Sequence, residues 1–145
     1  MLIYFDTSIV LKTYVFEPRS EEAIKLLDAA GGAIPLSHFL TLEISNAFQL
    51  KVFRGEIEAP DAKKCLSSFL SDLEAGYFYY PPCELESVFK LARDLSNRHS
   101  KIIGTRCMDI LQVASALEIG CDHFLTFDKR QAQLASTVGL KTKIY

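Results

Sequence analysis

The chain has 145 residues, 49% of them apolar and 23% charged, the composition of one globular domain with room for a core rather than of a disordered or fibrous protein. No apolar run approaches the roughly 20 residues that span a bilayer, and a formal net charge of −2 argues against a broad basic surface for duplex nucleic acid. Cys65, Cys83, Cys107 and Cys121 are scattered, without a C-x-x-C pair or histidines at zinc spacing, so thiols in or near a core are expected and a zinc site is not.

The first element is Leu2-Ile3-Tyr4-Phe5, a wholly apolar run that reads as a strand buried on both faces. Asp6-Thr7-Ser8 follows without a spacer, and these side chains can cap the free N–H groups of a helix's first turn. Asp6 is thereby placed where a strand's carboxyl end meets a helix N-terminus, the edge at which open α/β sheets bind ligands. The opening residues have no basic stretch and reach an acid at position six, so a signal peptide is not expected and a cytoplasmic protein is. The helix should continue over residues 9–14 and break at Glu17-Pro18-Arg19. Ser20 then caps a second helix over residues 21–30, stopped by Gly31-Gly32. Residues 33–37 form a short second strand in which Pro35 suggests an edge position or an early end.

Residues 39–54 make a long helix with Leu40, Ile44, Ala47 and Phe48 as its apolar stripe and Glu43 one position off it. A second helix, residues 60–75, completes a helical hairpin, and residues 77–80 read as a third strand. Residues 84–98 are helical, residues 99–106 form a loop, and residues 107–119 are helical again. Residues 123–127 form a fourth strand with Asp128-Lys129-Arg130 directly after it. A last helix, residues 131–137, and a strand within residues 140–145 follow. Strands separated by helices imply βα crossovers. The expected fold is therefore α/β: a single domain over residues 1–145, built as a three-layer α/β/α sandwich with a central, mainly parallel sheet of about five strands.

Asp6 and Asp128 each follow a strand, so a parallel sheet puts both at its carboxyl edge. Glu43 lies near the start of the helix after the second strand, and Asp109 lies in the first turn of a helix whose preceding loop must bring it to the same edge. Each could simply cap or flank a helix. Glu43 and Asp109, however, sit in strongly apolar surroundings, Leu42-Glu43-Ile44 and Met108-Asp109-Ile110-Leu111. Four carboxylates at one edge repel in low dielectric, a cost that a hard divalent cation such as Mg²⁺ or Mn²⁺ removes. Such an ion activates water for phosphodiester cleavage.

Phe5-Asp6-Thr7-Ser8, Leu42-Glu43-Ile44, Leu125-Thr126-Phe127-Asp128 and the stretch Arg106 to Leu117, R-x-x-D-I-L-x-V-A-x-A-L, resemble the signature segments of PIN domains, and most closely those of VapC-like toxins. The resemblance implies a Mg²⁺- or Mn²⁺-dependent ribonuclease whose acidic site is Asp6, Glu43, Asp109 and Asp128. Ser8 would hold a metal-bound water or Asp6 itself. It also implies an RNA substrate, a cognate antitoxin and a homodimer. Gln112 stands where many relatives have His, a departure expected to bear on RNA contacts rather than on metal binding. Arg106, Lys129 and Arg130 could approach a substrate phosphate, with solvated charge as the alternative. Leu11, Tyr14, Val15 and Phe16 could serve either a partner surface or the core. A PIN-type module that binds RNA or protein without cutting is the alternative function.

Overall fold

Tyr4 and Phe5 are completely buried, because the strand that carries them, β1 (Ile3–Phe5), is covered on both faces. The computed structural model describes residues 1–143. From β1 the chain enters α1 (Thr7–Val10), prolonged by a 3-10 turn over Leu11–Thr13, then α2 (Ser20–Asp28), β2 (Ile34–Pro35), α3 (His38–Phe53) and α4 (Ala59–Glu74). There follow β3 (Phe78–Tyr79), α5 (Leu85–Leu95), a π-helical turn over Ser96–Ser100, α6 (Lys101–Ile103), α7 (Cys107–Ile119), β4 (His123–Leu125) and α8 (Lys129–Thr137).

β1 pairs in parallel with β4, Phe5 opposite Leu125, and β2 pairs in parallel with β3, Ile34 opposite Phe78. β2 lies beside β1, yet the two form no ladder. Pro35 supplies the reason. The amides of Ile34 and Leu36 donate to Tyr77 and Tyr79 carbonyls on the β3 side, at 2.9 and 2.8 Å. The residue between them faces β1, and a proline there has no N–H to offer. Pro35 thus marks an interruption inside the layer, not an edge, and β2 ends at it, the early end that the sequence allowed. Among the described residues the strands form two short parallel ladders side by side, in place of the expected continuous sheet of about five strands. Beyond β4, Lys141 makes a single parallel bridge to His123. Ile144 and Tyr145, part of the expected last strand, lie outside the described residues.

The lateral order is β3, β2, β1, β4. Connections run outward from β1 to β3, and the chain then returns past β1 to β4. Right-handed crossovers on such a path put α1–α4 on one face and α5–α8 on the other. Within each face α1 meets α2 and α3, α3 meets α4, and α7 meets α5 and α8, while α3 and α7 also touch across the two faces, where Glu43 and Gln112 bond. The reversal falls between β1 and β4, so their carboxyl ends flank a crevice.

Three local expectations change. Ser20 is the first residue of α2, and its hydroxyl donates to the Val15 carbonyl at 3.2 Å and accepts from the Glu17 amide at 2.9 Å, closing the turn before the helix rather than capping it. Residues 99–103 are helical instead of loop, since no glycine or proline interrupts the chain between Pro82 and Gly104. Gly104, at φ +74°, is the first position suited to a helix stop. α8 begins at Lys129 because Asp128 caps it, accepting from the Gln131 amide at 2.9 Å. All four cysteines are free thiols. Among the described residues no helix is long and apolar enough to cross a membrane.

Candidate active site

The Asp6 amide extends the β1–β4 ladder one step, donating to the Leu125 carbonyl at 3.0 Å, while its side chain turns to cap α1. Asp6 Oδ1 accepts from the Ser8 amide at 2.6 Å, and Oδ2 accepts from Ser8 Oγ at 2.9 Å and from the Thr126 hydroxyl. The side chain is buried, and burial pushes its carboxyl up to about 7; bonds from Thr126 and Ser8 oppose the rise and the charge of Glu43 adds to it.

Thr126 is the hub of this half. Its hydroxyl also lies 2.8 Å from Gln131 Oε1 and accepts from the Asp128 amide at 2.9 Å. A hydroxyl has one proton, so Thr126 serves either Asp6 or Gln131; a protonated Asp6 donates to Thr126 and frees it for Gln131. Gln131 in turn donates to the Asp109 carbonyl at 3.4 Å. Asp6, Asp128 and the backbone of α7 are thus joined through two neutral side chains. Ser8 Oγ accepts from the Phe127 amide at 3.0 Å, which pins its proton toward Asp6.

The other two acids come from helices. Glu43, half-buried on α3, accepts at Oε1 from Gln112 Nε2 at 2.8 Å. The same nitrogen donates to Thr7 Oγ1 at 2.9 Å, and the Thr7 hydroxyl also bonds Glu43. Burial raises the Glu43 carboxyl and the charge of Asp109 adds to the rise, while Thr7, Gln112 and Arg106 oppose it. Asp109 Oδ2 accepts from Arg106 Nε at 3.2 Å. That bond, with the charges of Asp109, Asp128 and Glu43, raises the Arg106 guanidinium. The charge of Glu43 thus reaches Asp6, that of Asp109 reaches Glu43, and Asp109, Asp128 and Glu43 all act on Arg106, so the 99–106 segment does bring the start of α7 to the edge where β1 and β4 end.

Arg106, Asp109, Asp128, Lys129 and Arg130 line one solvent-open groove, with Gly104 on its wall. A Cβ at Gly104 would stand 3.8 Å from Arg130 Nη1. Arg106 is 79% exposed at its side chain, and Lys129 and Arg130 are exposed. Among the described residues no three acidic, histidine or cysteine side chains stand close enough to enclose a metal ion. The donor set nevertheless fits a hard divalent cation in type and charge: its atoms are carboxylate oxygens, and two of the carboxyls are raised partly by a neighbouring acid. Asp109 Oδ1 and Asp128 Oδ2 accept no hydrogen bond among the described residues.

Thr7 and Thr126 lie within the motif segments but carry no expected site role, and Gln131, within Lys129-Arg130-Gln131-Ala132-Gln133, carries no signal of its own. Gln112 is 0% exposed and cannot touch RNA; its contacts are with Glu43 and Thr7, which corrects the expectation for that position. Leu11, Tyr14 and Val15 pack against the core, whereas Phe16 is 85% exposed. Of the aromatic run, Phe78 is buried while Tyr77 and Tyr79 are exposed. A family model described as the PIN domain matches residues 3–136. No curated protein matches the chain.

Proposed function

The chain belongs to the PIN domain family, whose members are typically nucleases, and from that membership and the acidic edge we propose that it is a metal-dependent endoribonuclease, the toxin of a toxin–antitoxin pair. The observation that carries the reading is the gathering of four acids at one edge: Asp109 and Asp128 line a groove with Arg106, Lys129 and Arg130, Thr126 joins Asp6 to the Asp128 amide, and the charges of Glu43 and Asp109 act on Asp6 and Glu43 in turn.

Asp6, Glu43, Asp109 and Asp128 would hold Mg²⁺ or Mn²⁺. When bound, the ion supplies an activated water and stabilises charge on the leaving oxygen. The rest falls to the chain. Ser8 and Thr126 donate to Asp6 and hold its carboxylate in one orientation. The Asp128 amide, donating to Thr126, ties that carboxylate to the groove wall. Arg106, Lys129 and Arg130 position the phosphates that flank the scissile bond. A short basic rim of this kind suits a few nucleotides of backbone, in keeping with a net charge of −2.

The toxin assignment is supported by the likeness of the Arg106–Leu117 stretch to VapC-like sequences. With it come an antitoxin partner, a homodimer and a cytoplasmic site of action. The test is a mixed RNA pool incubated with Mn²⁺ or Mg²⁺, against EDTA and against the Asp6→Asn, Asp109→Asn double variant. Metal-dependent cutting that the double variant loses is the expected result. RNA that stays intact while both proteins bind it equally well would replace the nuclease with a binding module. Induced expression that arrests growth for the parent and not for the double variant checks the toxin role.

A further inference from the structure

Gln112 occupies the middle of an apolar stretch, Ile110-Leu111-Gln112-Val113-Ala114, and is completely buried. Both of its amide protons are used, one on Glu43 Oε1 and one on Thr7 Oγ1, yet its own Oε1 has no hydrogen-bond partner. An orphaned buried acceptor costs stability that an apolar side chain of the same shape would not. The amide also has a fixed sense, since turning it over would set Oε1 against a carboxylate oxygen.

Its position adds to the case. Gln112 lies one turn after Asp109 on α7, Thr7 is the neighbour of Asp6, and Glu43 is on α3. We propose that Gln112 is a positioning residue that, together with Thr7, fixes the Glu43 carboxylate relative to Asp6 and Asp109 and so sets the width of the acidic centre. The inference rests on the nuclease reading and assigns a part within it. An amide does this without adding charge to a site already crowded with carboxylates, and it needs no access to substrate.

Mn²⁺ titration followed by electron paramagnetic resonance tests it. Gln112→Met keeps length and removes both donors, and should weaken Mn²⁺ binding by about ten-fold or more, the usual effect of losing a partner that orients a metal ligand. In a Glu43→Gln background the same change should have no further effect. Unchanged Mn²⁺ affinity in Gln112→Met, or an equal loss in both backgrounds, overturns the proposal. Should Gln112→Met not fold, Thr7→Val removes the donor on the other side and carries the same expectation and the same refutation. If the parent protein binds no Mn²⁺, the nuclease reading fails by itself. The positioning is then read on the metal-free protein, where the Gln112 side-chain amide resonances must shift on Glu43→Gln; resonances that stay in place overturn it.

Discussion

The two halves of the acidic edge are held in different ways. Asp6 stands at the end of β1, where the β1–β4 ladder fixes its backbone and Ser8 and Thr126 bond its carboxyl, and Asp128 stands just past β4 as the cap of α8, bonded by the Gln131 amide. Glu43 and Asp109 stand on helices from opposite faces, and among the described residues Gln112, Thr7 and an exposed arginine hold them. The first half is a rigid reference and the second is adjustable. The difference teaches that a site at a switch point inherits its precision from the ladder on one side, and must be given it by individual side chains on the other.

The largest expected effect tests whether the halves act as one centre. Asp128→Asn and Asp109→Asn, one from each half, should each lower metal-dependent RNA cleavage by about 10³-fold, several kcal/mol of lost charge stabilisation at 1.36 kcal/mol per decade. A loss confined to one variant would break the comparison by leaving the other half outside the chemistry.

Next comes the pH dependence of stability in metal-free protein. The Asp6 carboxyl is raised from 3.8 to about 7 on folding, so between those values the native state holds a proton that the unfolded state releases. Stability should therefore fall as pH rises through that window, by a few kcal/mol at most. Glu43 is raised as well and acts in the same direction. Denaturant unfolding across the window checks the slope; Asp6→Asn should flatten it, and saturating Mg²⁺ should reverse it.

Thr126→Val probes the rigid half alone. It strips a partner from Asp6, Gln131 and the Asp128 amide at once. The cost of about 2–3 kcal/mol for buried groups left unpaired should lower the melting midpoint by roughly 5–10 °C, measured by calorimetry. The smallest effect belongs to Arg106→Ala, whose ion pair with Asp109 is solvent-exposed. Stability should change by under about 1 kcal/mol, while RNA affinity weakens and its salt dependence becomes shallower, as a filter-binding series would show.

The same contrast governs how much could be read from the chain. An apolar run that ends in an acid announces itself, so β1 with Asp6 is legible and α7 falls at its expected bounds, whereas β4 ends at Leu125, two residues short of its apolar run, because Asp128 belongs to the cap of α8. Glu43 and Asp109 drew notice through their apolar neighbours, but their mutual approach depends on two long crossovers that no local pattern encodes. Gln112 and Thr126 show the limit. A lone polar residue in an apolar run signals burial and a partner, and the partner lies 69 positions away for one and 120 for the other. Pro35 suggests an edge position or an early end, and only the early end holds, because a missing N–H says which bond is absent, not which neighbour it faces.

Anomalous scattering of Mn²⁺ in crystals of the protein would locate the ion itself. A peak, or a close pair, is expected at coordination distance, on the order of 2 Å, from oxygens of Asp6, Glu43, Asp109 and Asp128, with the helix-borne acids closing on Asp6 and Asp128. Mn²⁺ bound elsewhere, or no peak at this edge in well-occupied soaks, would contradict a shared metal centre.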